Sequence, residues 1–573
     1  MYTDKYSFWL ENKYFDQGTK NELKAIENDA TEIEDRFYKD LEFGTGGLRG
    51  ILGAGTNRMN IYTVRKAAQG LANFIVINGE EAMKRGVAIA YDSRNMSPEF
   101  AMESAKVFTA NGIKTYLYDS LRATPQLSFT VRELDTFSGV MVTASHNPKQ
   151  YNGYKVYGED GGQLPLESAE VVLKEIEGIE DISTVKFFEE SEAFSSGLLE
   201  MIGEEVDRKY LDCLKTLSIN KEVCVSVGKD MEIVYTPLHG TGNIPVRRIL
   251  DEVGFKNVIV VPEQELPDGN FSTVRSPNPE ERDALNLAIN LAKEEHSDIV
   301  IGTDPDGDRV GVAVRRPDGE YQILTGNQTG CLLMEYILSQ KKERGELPSN
   351  GFVVKTIVTT ELSRDIASFY GVELVEVLTG FKFIGEQIKL LDDDGDKKFI
   401  FGYEESFGYL AGTFVRDKDA IVSSMLIAEM TAYYSSKGIT LYDALINMFA
   451  KYGYVLEGSK SITLEGIEGV RKIAGAMEYL RENDIASFGD YTVLRRRDYQ
   501  NSITSDGQKI YLPKSNVIYY ELSDGAWCCV RPSGTEPKIK FYVGVKTGSI
   551  ADSEKAIEKV IDAMEDSIKH ILY

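Results

Sequence analysis

A strand, a helix and a second strand follow one another three times along this chain, and that rhythm narrows the fold more than any other pattern in it. Val87-Ala88-Ile89-Ala90-Tyr91 reads as a strand, and Asp92-Ser93-Arg94 leads from it towards a helix from about Pro98 to Asn111. Ser97 is the expected N-cap, with Pro98 at the first helical position, where its missing N–H costs nothing. A further strand, Lys114 to Tyr118, follows at once. The rhythm returns with strands at Glu232–Tyr235, Val258–Val261 and Asp298–Gly302, and again at Phe352–Val358, Glu373–Val377 and Lys398–Phe401. Parallel strands joined by helices form sheets covered on both faces, so the expectation is an α/β protein built from three similar mixed α/β domains. After Tyr454 strands dominate (Val517–Glu521, Trp527–Val530, Ile539–Val545), then an amphipathic helix from Asp552 to about Ile571, which predicts a smaller α+β fourth domain.

A chain of 573 residues exceeds one core and fits three to five domains. Pattern alone suggests boundaries at 1–200, 201–325, 326–450 and 451–573, with the acidic stretch Glu175 to Glu192 carrying the chain from the first unit to the second. The opening forty residues read as polar helix with Trp9, Leu10, Tyr14 and Phe15 on an apolar face, and are given no catalytic role. No apolar run approaches the roughly 18 residues needed to span a bilayer. The first residues lack the basic-then-apolar plan of a signal peptide, so a cytoplasmic location is expected. The five cysteines form no metal-binding spacing and read as reduced, mostly buried thiols. A formal net charge of −26 argues against nucleic-acid or anionic-membrane partners. An anionic substrate would then need local cations, for which Arg49, Arg309, Lys355, Lys382, Arg531 and Lys538 are the candidates.

Three segments carry the chemistry. Thr143-Ala144-Ser145-His146-Asn147-Pro148 sets a hydroxyl on a polar loop after the buried run Val140-Met141-Val142. Taken alone, Ser145 and Asn147 would more often cap a turn before Pro148. Asp304-Pro305-Asp306-Gly307-Asp308-Arg309 offers three carboxylates at alternate positions; they repel one another unless a cation lies between them, and oxygen-only ligands favour Mg²⁺. A solvated turn is the plain alternative. A calcium loop would need Gly and Glu where Arg309 and Arg315 stand. Arg531-Pro532-Ser533-Gly534-Thr535 brings a guanidinium, two hydroxyls and backbone N–H groups into one turn of phosphate size, although Pro-Ser-Gly by itself describes an ordinary β-turn. With only four histidines, no Ser-His-Asp triad is visible from spacing.

The order of these segments resembles the α-D-phosphohexomutase family. Gly44-Thr45-Gly46-Gly47-Leu48-Arg49, Asn152-Gly153-Tyr154-Lys155, Lys355 and Glu404-Glu405-Ser406-Phe407-Gly408 match it in the same order, so the resemblance runs from about residue 40 to residue 545. It implies four domains around a central cleft lined by one loop from each. It also implies that Ser145 carries a phosphoryl group, passed to a hexose monophosphate to give a bisphosphate such as glucose 1,6-bisphosphate, which returns its other phosphate to the serine. Asp304, Asp306 and Asp308 would each give Mg²⁺ one oxygen, with the phosphoserine of Ser145 supplying another. A phosphoserine adds about −1.5 to −2 to three carboxylates, which one divalent ion does not balance. Arg49 and Arg309 fit as the further cations.

Lys155 is implied as general acid/base, a role for which its pKa must fall, as burial near other cations can cause. His146 would orient the serine phosphate. Lys355 would meet the sugar or its phosphate, Glu404 and Ser406 the sugar hydroxyls, and Arg531, Ser533, Gly534 and Thr535 the phosphate that is not reacting. Glu404-Glu405-Ser406-Phe407-Gly408 and Thr379-Gly380-Phe381-Lys382 resemble the glucomutase side of the family; mannose and pentose phosphates are the alternative substrates. Tyr403 stands where Gly usually precedes the glutamate, and Arg416-Asp417-Lys418-Asp419 resembles a branch that includes phosphopentomutase and glucose-1,6-bisphosphate synthase. A metal-dependent sugar phosphatase would share the aspartates and the phosphate turn, and a sugar-phosphate sensor the turn alone. The partners expected are phosphosugars, with no preference among oligomeric states.

Overall fold

The computed structural model describes residues 2–44, 46–393, 395–464, 466–533 and 538–573. The chain divides into two compact units: one holds 1–325, 384–401 and 406–438, the other 326–383, 402–405 and 439–573.

The first unit contains two sheets of one design. In the six-stranded sheet, Ser138–Val142, Val87–Tyr91, Thr115–Tyr118 and Leu199–Ile202 run parallel, while Tyr151–Gly158 and Gly47–Ile51 are added antiparallel beyond Ser138–Val142. In the five-stranded sheet, Asn257–Val260, Glu232–Thr236 and Ile299–Thr303 are parallel, and Val310–Arg315 and Tyr321–Ile323 are added antiparallel beyond Ile299–Thr303. Ser138–Val142 and Ile299–Thr303 are buried at every position, as expected of strands covered on both faces. Each is the last parallel strand of its sheet and opens into a hairpin. Those two hairpin loops are Thr143–Gln150 and the aspartate loop, both at carboxyl ends of strands, where open α/β sheets bind ligands.

The sheet continues through Leu199–Ile202, beyond the acidic stretch 175–192, which ends one helix (Leu166–Glu177) and begins another (Glu190–Ser195). Ser97 is not a cap. Met96 is, in a left-handed conformation (φ 68°), because the Ser97 hydroxyl is turned to Asp92 (2.8 Å) and accepts from Asn152 (2.9 Å). The N-terminal aromatic face is real: Trp9 and Phe15 stack and are buried with Leu23, Phe37 and Tyr62.

In the second unit, Gly351–Thr356 and Glu373–Val377 form a parallel pair. An antiparallel seven-stranded sheet follows, with Tyr454–Thr463, Lys538–Thr547, Trp527–Pro532, Ile518–Leu522 and Tyr491–Asp498 as its main strands. The helices Gly466–Glu482 and Ile550–Leu572 cover one face of it, through Met477, Leu480, Val560, Met564 and Ile568. Two of these strands, Tyr454–Thr463 and Tyr491–Asp498, are not evident in the sequence, their exposed positions being Ser459, Ser461, Thr463, Thr492 and Leu494 and their half-buried ones including Lys460 and Arg495 to Arg497. Cys224, Cys331, Cys528 and Cys529 are buried free thiols, Cys213 a partly exposed one. Among the described residues, no helix is long and apolar enough to cross a membrane.

Candidate active site

Ser145 lies in the first hairpin loop in a left-handed conformation, φ 52°, which costs a residue with a Cβ about 1–3 kcal/mol unless its surroundings enforce it. They do. Thr143 Oγ accepts from the Ser145 N–H (2.8 Å) and donates to Asp92 (2.6 Å), and the buried Arg94 guanidinium donates to the carbonyls of Ser145 and Asn147 (2.5 Å each). Gly153 lets the neighbouring strand lie close beneath; a Cβ there would stand 2.5 Å from the Thr143 carbonyl oxygen. The Ser145 hydroxyl is thereby aimed at the second hairpin loop, where it donates to Asp304 Oδ2 at 2.9 Å, and it lies 3.2 Å from His146 Nδ1. Burial, followed by the nearby Arg309 and Arg49 cations, holds the His146 pKa well below its usual value, so the ring is neutral at physiological pH.

The aspartate loop turns at Gly307 (φ 63°), where a Cβ would come within 2.9 Å of Ala123 Cβ. Asp304, Asp306 and Asp308 are buried, and one oxygen from each lies within 4.8 Å of the others. Asp304 Oδ1 accepts from the N–H groups of Asp308 (3.1 Å) and Arg309 (2.9 Å), while Asp306 accepts from Thr124 (3.0 Å) and Lys155 (2.9 Å). Burial and the repulsion of its two neighbours push the Asp304 carboxyl well up. Burial pushes on Asp306 in the same sense, but Lys155, a hydrogen bond with the Asp304 carboxyl and then Lys418 outweigh it and hold its pKa down.

Asp306 Oδ1 and Asp308 Oδ1 are buried with no hydrogen-bond donor. Each such oxygen costs about 1–3 kcal/mol, and a divalent cation between the carboxylates would satisfy both. The set is oxygen-only and densely anionic, which fits Mg²⁺ better than zinc or copper. Asp304, Asp306 and Asp308 are therefore able to hold the ion, with Ser145 beside them.

Arg49 and Lys155 come from the adjacent antiparallel strands Gly47–Ile51 and Tyr151–Gly158. Arg49 donates to Asn147 Oδ1 (3.1 Å), and Arg309 pairs with Glu280 (2.6 Å). The Lys155 pKa does not fall as the sequence led us to expect. Burial works to lower it, but Asp306 at 2.9 Å and Asp308 at 3.7 Å outweigh burial, and it rises above 10.5. The sequence reading missed Lys418, a buried cation 3.1 Å from Asp308 and 3.0 Å from Asp417. Asp417 also accepts from Tyr157 (2.8 Å) and Gln163 (3.1 Å). The signal was there: Arg416-Asp417-Lys418-Asp419 directly precedes Ala420–Ser436, a helix buried on nearly every side. Charges at the mouth of such a helix must pair.

The remaining candidates are placed differently. Lys355 is buried in the second unit and already engaged, at 2.7 Å from Glu361, 3.3 Å from Glu376 and 3.0 Å from the Thr359 carbonyl oxygen. Glu404 accepts from the Gly380 N–H (2.8 Å). Tyr403, beside it, lies against Gly330 with its hydroxyl 2.5 Å from Ser363 Oγ, so the residue before the glutamate serves packing. Arg531 stands opposite Lys540 in an antiparallel hairpin, which the Ser533 N–H to Lys538 carbonyl bond (2.7 Å) narrows. Gly534 and Thr535 lie outside the described residues. Ser406 belongs to the first unit, in the turn before Gly408–Ala411; its neighbour Phe407 (φ 63°) accepts the Val310 N–H at 3.1 Å.

Residues 40–183, 208–319 and 325–452 match the phosphoglucomutase/phosphomannomutase α/β/α domains I, II and III, and residues 467–564 match its C-terminal domain. The chain belongs to the phosphoglucomutase/phosphomannomutase family. A phosphoglucomutase of Staphylococcus saprophyticus is 36% identical over 563 residues, covering 96% of this chain and 98% of the relative. One from Staphylococcus haemolyticus is 38% identical over 540 residues, 92% of this chain and 94% of that one. Solved structures agree in fold: the parafusin phosphoglucomutase of Paramecium in its open form (TM-score 0.68, 16% identity, 93% of this chain and 96% of that one), and a phosphoglucomutase/phosphomannomutase family protein of Burkholderia thailandensis (TM-score 0.65, 17% identity, 92% and 97%).

Proposed function

We propose that this chain is a phosphoglucomutase, interconverting α-D-glucose 1-phosphate and glucose 6-phosphate through a phosphoserine at Ser145 and a glucose 1,6-bisphosphate intermediate. The observation that carries the reading is the Ser145 hydroxyl, fixed in a left-handed turn and held 2.9 Å from Asp304 in a buried three-aspartate loop. The preference for glucose rests on full-length relatives named phosphoglucomutase.

In the forward step a sugar hydroxyl oxygen attacks the phosphorus of phosphoserine 145. The bond from phosphorus to the serine oxygen breaks, and that oxygen keeps the electron pair. When bound by Asp304, Asp306 and Asp308, Mg²⁺ would neutralise charge on the transferring group. Arg49 and Arg309 supply the further positive charge, and neutral His146 can donate to, or accept from, the serine oxygen. The proton of the attacking hydroxyl goes to a lysine. Lys155 is placed for this once its carboxylate partners are engaged elsewhere, since the neighbouring Lys418 cation favours its neutral form. Lys355, Glu404 and Ser406 would take the sugar, and Arg531, Ser533, Gly534 and Thr535 the resting phosphate. The four domains would end near residues 200, 325 and 450.

Dephosphorylated protein is the test. It is expected to be inert on glucose 1-phosphate until glucose 1,6-bisphosphate is added, and then to form glucose 6-phosphate. Steady release of inorganic phosphate at the full turnover rate would show a phosphatase instead.

A further inference from the structure

Arg94 is 1% exposed and, being a cation, is no metal ligand. Its guanidinium is used on the backbone of the nucleophile loop. Nη2 donates to the carbonyls of Ser145 and Asn147, and Nη1 to those of Pro148 and Tyr151 (3.1 Å each). Four carbonyls from a seven-residue stretch therefore converge on one planar fork. The fork is aimed by Asp92, 3.3 Å from Arg94 Nε. Asp92 also accepts a hydrogen bond from the Thr143 hydroxyl, and Thr143 in turn accepts one from the Ser145 N–H. Asp92, Arg94 and Thr143 thus hold Ser145 through both its carbonyl and its amide, the two groups that fix its left-handed φ.

We propose that Arg94 is a positioning residue for phosphoryl transfer: it holds Ser145 in the turn that presents its hydroxyl to the aspartate loop, and so sets the rate of transfer without contributing to sugar binding. Lysine cannot replace it, because one ammonium has three donors at a single point and no plane with which to span four carbonyls. The claim rests on the phosphoserine reading and goes beyond it in naming what keeps the serine in place.

The test compares wild type with Arg94→Ala and Arg94→Lys, assayed with glucose 1-phosphate and saturating glucose 1,6-bisphosphate, with folding followed by circular dichroism. A displacement of about an ångström costs roughly a hundredfold in rate, so Arg94→Ala is expected to lose about that much in kcat with KM changed less than about threefold. Free guanidinium at non-denaturing concentration is expected to restore part of that kcat, while methylammonium restores none, and Arg94→Lys is expected to stay slow. A merely structural arginine would give neither the split between kcat and KM nor the selective rescue. Folded Arg94→Ala with wild-type kcat, or with raised KM and intact kcat, overturns the proposal. If Arg94→Ala does not fold, Arg94→Lys decides by the same two outcomes. A wild type that transfers no phosphoryl group sinks the phosphoserine reading and this inference with it, whereas an active wild type with unimpaired Arg94 variants sinks the inference alone.

Discussion

In the first unit, Ser145, His146, Lys155, Arg49, Arg309 and the three aspartates meet across two hairpin loops, with two carboxylate oxygens left without donors. In the second unit, Lys355 is committed to Glu361 and Glu376, and Glu404 to the Gly380 amide. The first group is assembled and still has an electrostatic need that a cation would meet. The second is satisfied within its own unit, so a substrate reaching it must exchange one partner for another. Exchange of that kind gives modest net binding energy, because every bond gained replaces one lost. Defects in the first region should therefore appear in kcat, and defects in the second in KM or in sugar preference.

Ser145→Ala bears hardest on that contrast, since every cycle returns a phosphoryl group to this oxygen. Turnover measured by a coupled assay is expected to fall to background, and wild-type-like activity would remove the first region from the chemistry. Asp306→Asn is expected next, with roughly a thousandfold loss in kcat, given the several kcal/mol that a catalytic metal contributes. EDTA treatment should mimic it, and an undiminished rate in EDTA would contradict the metal assignment.

Arg531→Ala should raise KM about tenfold or more for every phosphosugar, because a charge-assisted bond to phosphate is worth roughly 1.5–3 kcal/mol. Glu404→Gln should instead change the ratio of activities on glucose and mannose phosphates, which differ in the orientation of one hydroxyl. Kinetics of both variants on both sugars would exchange these two roles if the selective defect fell on Arg531.

The smallest effect concerns the pairing of Lys355. Burial pushes the Glu361 carboxyl up, but Lys355 and then Arg364 outweigh it and bring its pKa from 4.5 down to about 2. A depressed carboxylate stabilises the fold fully above its unfolded pKa, and that stability is lost as pH falls through the folded value. The urea midpoint of Glu361→Gln should thus lie below that of wild type at neutral pH, and the gap should close as pH drops from 4.5 towards 2. A gap that widened on acidification would mean Glu361 is not held by Lys355.

The alternation of strands and helices was legible wherever apolar residues outnumber polar ones along a strand: Val87–Tyr91 and Glu373–Val377 are found at the expected residues. Legibility failed where one face of a strand is polar, as in Tyr491–Asp498, and at the helix start near Ser97, where a tertiary partner took the capping hydroxyl. The reactive groups could be picked out because their residue types are costly together. Three aspartates in six residues demand a cation, and that demand is written locally. Lys418 could have been found from the charged run before a buried helix, but Arg94 left no such trace. Arg94 reaches carbonyls 51 to 57 positions away, so nothing nearby shows that it is buried rather than solvated. Lys355 could be singled out as a cation, but its engagement by Glu376, 21 positions on, could not.

The central claim is that the Ser145 oxygen carries the transferring phosphoryl group, and the intact mass of the protein after incubation with glucose 1,6-bisphosphate tests it most directly. Wild type is expected to gain about 80 Da, one phosphoryl group, mapped to Ser145 and discharged on adding glucose 6-phosphate, while Ser145→Ala gains nothing. An unmodified wild type, or the same gain in Ser145→Ala, would contradict the account.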